Sequence, residues 1–140
     1  MPRRIIILLL AVGNVSAELT DAYEVKYGQV QSNCNPSVSD APSGTVRIKR
    51  TNSQIVVEID RLPAMTGTLT KDSKLTAKSK LSPALSAGVQ SVFSAAGRVD
   101  QKGGLSLVLV GQFQANDRPL CTKSWQANGR RRTTPLVKAK

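Results

Sequence analysis

Apolar and polar residues alternate with a period of two along most of this chain. That pattern marks strands with one face in a core and one in solvent. Tyr23, Val25 and Tyr27 alternate with Glu24, Lys26 and Gly28. Val46 and Ile48 alternate with Arg47 and Lys49, and Ile55, Val57 and Ile59 with Glu58 and Asp60. Matching those two apolar faces across the turn at 51–54 sets Ile48 opposite Val57 and Arg47 opposite Glu58. A cross-strand charge pair of that kind contributes about 0.2–1 kcal/mol. Met65, Gly67 and Leu69 predict a fourth strand, and Leu75, Ala77, Ser79 and Leu81 a weaker fifth. Leu105, Leu107, Leu109, Gly111 and Phe113 give a long strand near the end of the chain. Its other face carries Val108 and Val110, which suits a cover supplied by 81–88 or by a second subunit. The turn 116–119 leads into a last strand, 120–126. Residues 32–44, rich in Ser, Pro, Asp and Gly, read as a loop.

Residues 82–96 fit two patterns. Ser82 and Pro83 suit the start of a helix, with Leu85, Val89, Val92, Phe93 and Ala96 on one face and Gly97 as its stop. The strand alternative begins at Val89 and puts Phe93, Ala95, Gly97 and Val99 on the core face. It pairs with 105–115 across a turn at 101–104, which sets Phe93 opposite Gly111. Serine, valine and Gly88 weaken a helix, so the strand is the expectation.

Eight short strands joined by small turns predict an all-β, up-and-down barrel. The alternative is an antiparallel sheet packed on a helix at 82–96. Cys34 lies just past the first strand and Cys121 in the last, and they are the only cysteines. A bond between them would set the last strand beside the first and favour closure.

The chain begins Met1-Pro2-Arg3-Arg4, runs apolar from Ile5 to Val12, and reaches Val15-Ser16-Ala17. A charged start, a short apolar run and a small-residue exit predict a signal peptide over 1–17. The run is too short to cross a bilayer as a helix. The pattern predicts export, to a periplasm or beyond, where a disulfide is expected to persist. The domain is then 18–129, followed by a basic, flexible tail, 130–140. The formal net charge is +11, and five positive charges sit in that tail, on Arg130, Arg131, Arg132, Lys138 and Lys140. These five are the candidates for contact with an anionic envelope surface such as phospholipid or lipopolysaccharide phosphates. Export and an aromatic content of 4% argue against a nucleic-acid partner, since there is little to stack on bases.

The chain holds no histidine, which removes His-based triads, Cys–His pairs and His metal sites. No metal site, cofactor or catalytic residue is expected. Glu58 and Asp60 share a strand face, but Arg47 and Lys49 beside them point to a solvated ion-pair surface. Asp100 and Gly103-Gly104 read as hairpin-turn chemistry. Tyr23, Tyr27, Phe93, Phe113 and Trp125 are the candidate ligand-facing residues, with core packing as their alternative role.

The layout, short amphipathic strands with an end-to-end cysteine pair over most of 23–125, resembles small secreted barrels of the lipocalin-like or avidin-like kind. The Gly-x-Trp near the first strand that marks lipocalins is missing, so no binding residues carry over. The expectation is a non-enzymatic exported binding protein that holds a small apolar ligand in its barrel. Small inward residues (Gly67, Ala77, Ala95, Gly97 and Gly111) would leave room for that ligand. A protein-binding or inhibitory envelope module, or an envelope-associated structural protein using its basic tail, are the other readings.

Overall fold

A computed structural model describes residues 19–132. The expected leader at 1–17, and Lys138 and Lys140, lie outside the described residues. Nine strands follow in order: β1 Leu19–Ser32, β2 Ser43–Thr51, β3 Gln54–Asp60, β4 Met65–Leu69, β5 Lys74–Lys78, β6 Ser82–Pro83, β7 Gln90–Val99, β8 Gly104–Ala115 and β9 Arg118–Arg131. Every pairing is antiparallel. Eight of the strands form one closed ring, because β5 pairs with β7 and β9 pairs with β1. The two-residue β6 hangs on the side of β7. The result is the expected eight-stranded, up-and-down barrel, and closure removes the exposed edges of an open sheet.

The hydrophobic pattern set the registers correctly. Ile48 faces Val57, Arg47 faces Glu58, and Phe93 faces Gly111. Arg47 and Lys49 form ion pairs of 3.5–3.6 Å with Glu58 and Asp60 on the outer face. The Cys34–Cys121 bond is formed, with Cα atoms 5.0 Å apart. It ties the end of β1 to the start of β9.

Residues 82–96 hold no helix; among the described residues there is none at all. β7 takes the second half of that segment, and its partners on both sides settle the matter. β5 and β8 each offer it a full ladder, whereas a helix would leave both without a neighbour. The fifth strand is shorter than the pattern implied. It ends at Lys78, and Leu81 is exposed rather than in the core. Ser79 turns the chain there: its N–H donates to the Phe93 carbonyl, and its hydroxyl accepts from the Phe93 N–H at 2.9 Å. Residues 81–88 do not cover Val108, which stays exposed. They fold against the loop 33–42, where the Ser86 hydroxyl donates to the Ser37 carbonyl at 2.7 Å. The last strand also runs further than expected. It continues through Arg131, so Arg130 and Arg131 belong to the barrel and not to a flexible tail.

The inward glycines do a job other than leaving space. A Cβ on Gly67, Gly97 or Gly129 would overlap a carbonyl oxygen of the next strand, of Thr76, Ser106 and Glu24 respectively. Each marks a place where one strand bends hard onto its neighbour, which is how a sheet curls shut. Gly97→Ala is therefore expected to cost about 1–3 kcal/mol by overpacking. A urea melt checks it, and an unchanged midpoint would contradict the close approach.

Candidate ligand site at the barrel mouth

The two ends of the barrel differ. At the disulfide end, the loop between β1 and β2 folds back over the interior and buries Val38 in the core cluster. Lys123 projects inward from β9 and is almost wholly buried. Its Nζ donates to the carbonyl of Val38 and, at 3.2 Å, to that of Asp40. Buried charge is tolerated only when hydrogen-bonded, and these carbonyls meet that need. The buried Asp40 carboxylate in turn accepts the Leu85 N–H at 3.0 Å. The loop is thus a plug held from inside the barrel and from the 81–88 segment.

Beneath the plug the interior is packed. Phe93 meets Phe113 edge-on with centroids 5.8 Å apart, and it stacks on Trp125 at 6.2 Å. All three are buried. The space that Gly111 leaves is taken by the Phe93 ring, 2.7 Å from where a Cβ would stand. Barrels of this size can fill with side chains or hold one small ligand, and at this end side chains fill it.

The five aromatic candidates therefore fall into separate places. Phe93, Phe113 and Trp125 form one cluster. Tyr27 is half-buried where β1 parts from β2, and its hydroxyl donates to the Gly44 carbonyl at 3.1 Å. Tyr23 lies six register steps along β9 from Trp125, about 20 Å away at the usual strand rise. It lines a cavity at the opposite end.

That cavity, of about 260 Å³, is bordered by the ends of β1, β2, β4, β7 and β9. Ile48, Leu69, Val99 and Tyr23 supply its apolar wall, and Asp21, Arg50, Asp100 and Arg131 its polar lining. The strand period decides which of the three arginines reaches it. Trp125, Ala127, Gly129 and Arg131 share the inward phase of β9, while Arg130 and Arg132 point outward. Arg132 pairs with Glu24 at 3.2 Å, a pair exposed enough to contribute little. The expected anionic-surface cluster is thereby divided between the outer wall and the mouth.

Burial pushes the Tyr23 hydroxyl up, and the nearby Asp21 charge adds to it, while Arg131 and Arg50 pull the other way. Burial, then Asp60, pushes Tyr27 up to about 12. The neutral forms are thus favoured by folding, so their stabilisation is complete below the unfolded value of about 10. It is lost at higher pH as each ionises in the folded state, for Tyr27 as pH rises toward about 12. An ultraviolet titration of the two tyrosines should show both ionising above the free residue, Tyr27 by the larger margin, with unfolding in that window. Ionisation of either at the free-residue value would contradict the burial. Asp100 is held below the usual carboxylate range by the N–H groups of Gly104 and Lys102. Its Oδ1 accepts both, at 3.0 and 2.7 Å.

Sequence reasoning missed Arg50, Asp21, Leu69 and Val99 as neighbours, and it missed Lys123 as a clamp. One signal was available: Lys123 shares the inward phase of β9 with Trp125, and a lysine on a core face needs buried acceptors. Among the described residues no cluster of three or more His, Cys, Asp or Glu side chains is placed to hold a metal. The chain matches no protein-family model, and no curated protein or solved structure is significantly similar to it. Function is therefore read from the site itself.

Proposed function

We propose that this is an exported, non-enzymatic binding protein that holds a small, partly apolar ligand in the mouth cavity. One observation carries the reading: an apolar wall of Ile48, Leu69, Val99 and Tyr23 under a polar rim, at the barrel end that the plug does not cover. Concave apolar sites with a few converging polar groups are the usual form of small-molecule sites. The ligand lies at the mouth, because the other half of the interior is occupied by Phe93, Phe113 and Trp125. Export is supported by the leader-like first seventeen residues and by the disulfide, which suits an oxidising compartment. A binding role is favoured over catalysis by the lack of histidine and by carboxylates already engaged in ion pairs or turns.

Native mass spectrometry on the protein purified from its own compartment tests this. A discrete added mass that is lost on mild denaturation supports the reading. A bare mass across independent preparations contradicts it. Val108, exposed over a shallow outer groove with Val110, favours a second reading, a protein-binding or inhibitory module of the envelope.

A further inference from the structure

We infer that the mouth ligand is a small organic acid, its carboxylate held between Arg50 and Arg131 and its apolar body set against Ile48, Leu69 and Val99. The inference rests on the ligand-binding reading above and names the chemistry that reading leaves open.

Arg50 and Arg131 both lie on inward-facing phases. Arg50 continues the core face of Val46 and Ile48, and Arg131 that of Trp125 and Ala127. Both lie at the rim of the apolar layer and are exposed. Neither forms an ion pair within 4 Å among the described residues, whereas Arg47, Lys49 and Arg132 on the outer wall all do. The two guanidinium groups at the mouth are thus unspent charge facing a cavity.

Arg131 is also positioned. Its backbone N–H donates to the Gly103 carbonyl at 2.7 Å. Its side chain lies over Gly103, with Nε and Nη2 each 3.8 Å from where a Cβ there would stand. Its charge lies near Tyr23, whose hydroxyl it pulls down against burial. A guanidinium fork so placed is suited to a planar carboxylate, which it can bind with two parallel hydrogen bonds.

Asp21 and Asp100 line the same cavity, but neither forms an ion pair with Arg50 or Arg131 among the described residues. Asp100 accepts the Lys102 and Gly104 N–H groups of its own turn instead. The two guanidinium groups therefore keep donors for a carboxylate on the ligand. Size sets a further limit. A volume of about 260 Å³ is just below the usual range of about 300–1,000 Å³ for small-molecule pockets, so the ligand is a short-chain or single-ring acid, not a long fatty acid swallowed whole.

The test compares octanoate with 1-octanol, which has the same apolar chain and no charge. Calorimetric titration of the disulfide-bonded protein is expected to give octanoate an affinity about tenfold above octanol, as charge-assisted hydrogen bonds imply. The advantage of octanoate over octanol should vanish in the Arg50→Gln/Arg131→Gln variant. Asp21→Asn should tighten octanoate severalfold, a gain that damage to the fold cannot produce. Equal affinity for acid and alcohol in the unaltered protein would overturn the acid assignment and leave the cavity reading standing. Binding of neither ligand would overturn both. An octanoate advantage that survives in the double arginine variant would also overturn the assignment.

Discussion

Replacing Cys34 and Cys121 together by serine is expected to cost about 4–5 kcal/mol of stability, on the chain-entropy account of a cross-link. The bond spans 87 residues, nearly the whole barrel, so its removal frees an unfolded chain that the native protein keeps closed. Small domains are stable by only about 5–15 kcal/mol, and a loss of this size leaves little or nothing. The bond also sits at a demanding place. β1 and β9 are the first and last strands of the barrel, and their pairing closes the ring at the greatest sequence separation. The plug begins one residue before Cys34, and its first backbone contact is the Asn33 N–H to the Thr122 carbonyl. Equilibrium urea unfolding of the double serine variant measures the effect. A midpoint within experimental error of the oxidised protein would show that strand pairing alone closes the barrel.

Phe93→Ala is expected to cost about 3–5 kcal/mol, the range for removing a fully buried aromatic ring. Three losses coincide at this side chain. Its edge contact with Phe113 and its stack on Trp125 disappear, and Gly111 loses the ring that covers it. The cavity left behind has no ready filler, since the surrounding ladders of β5, β7 and β8 fix the wall. Trp125 is the only tryptophan in the chain, so its emission reports directly on the change. A red-shifted native spectrum and a lowered unfolding midpoint are the expected pair of results. A loss below about 1 kcal/mol would be out of range for such a site and would mean a loosely filled interior.

Much of this barrel could be read from its sequence, because period-two alternation carries both the strand and its face. Ile48 opposite Val57 and Phe93 opposite Gly111 follow from matching apolar faces across a turn, and one wrong step would have turned every side chain over. The choice at 82–96 was harder. Leu85, Val89, Val92 and Ala96 satisfy a helical face as well as a strand satisfies Phe93 and Ala95. Only the long-range demand of β5 and β8 for a shared neighbour decides between them. Leu81 was misplaced for a related reason. Its phase fits the fifth strand, but Ser79, a residue with no apolar signal, turns the chain out two positions earlier by bonding to Phe93.

The mouth was less legible. Arg130, Arg131 and Arg132 look alike in sequence, and a basic run with no apolar partner reads as a tail. The inward phase of Trp125 and Ala127 in fact continues through Gly129, where the absence of a side chain hides the pattern, to Arg131. Arg50 is similar, one step past Ile48 in the same phase and next to a turn. Asp21, Leu69 and Val99 come from three other strands, and nothing in their local sequence brings them to Arg50. Barrel closure alone does so. The small inward glycines misled in the opposite direction. Gly67, Gly97 and Gly111 suggest volume for a ligand, but neighbouring backbone and the Phe93 ring occupy it.

The most direct test of the account is an amide NMR titration of the disulfide-bonded protein with octanoate. The account predicts concerted shifts at Tyr23, Ile48, Arg50, Leu69, Val99 and Arg131, with Phe93, Phe113 and Trp125 unmoved. Shifts centred on Phe93, Phe113 and Trp125, with the mouth unchanged, would contradict it, because the ligand would then occupy the space described here as filled.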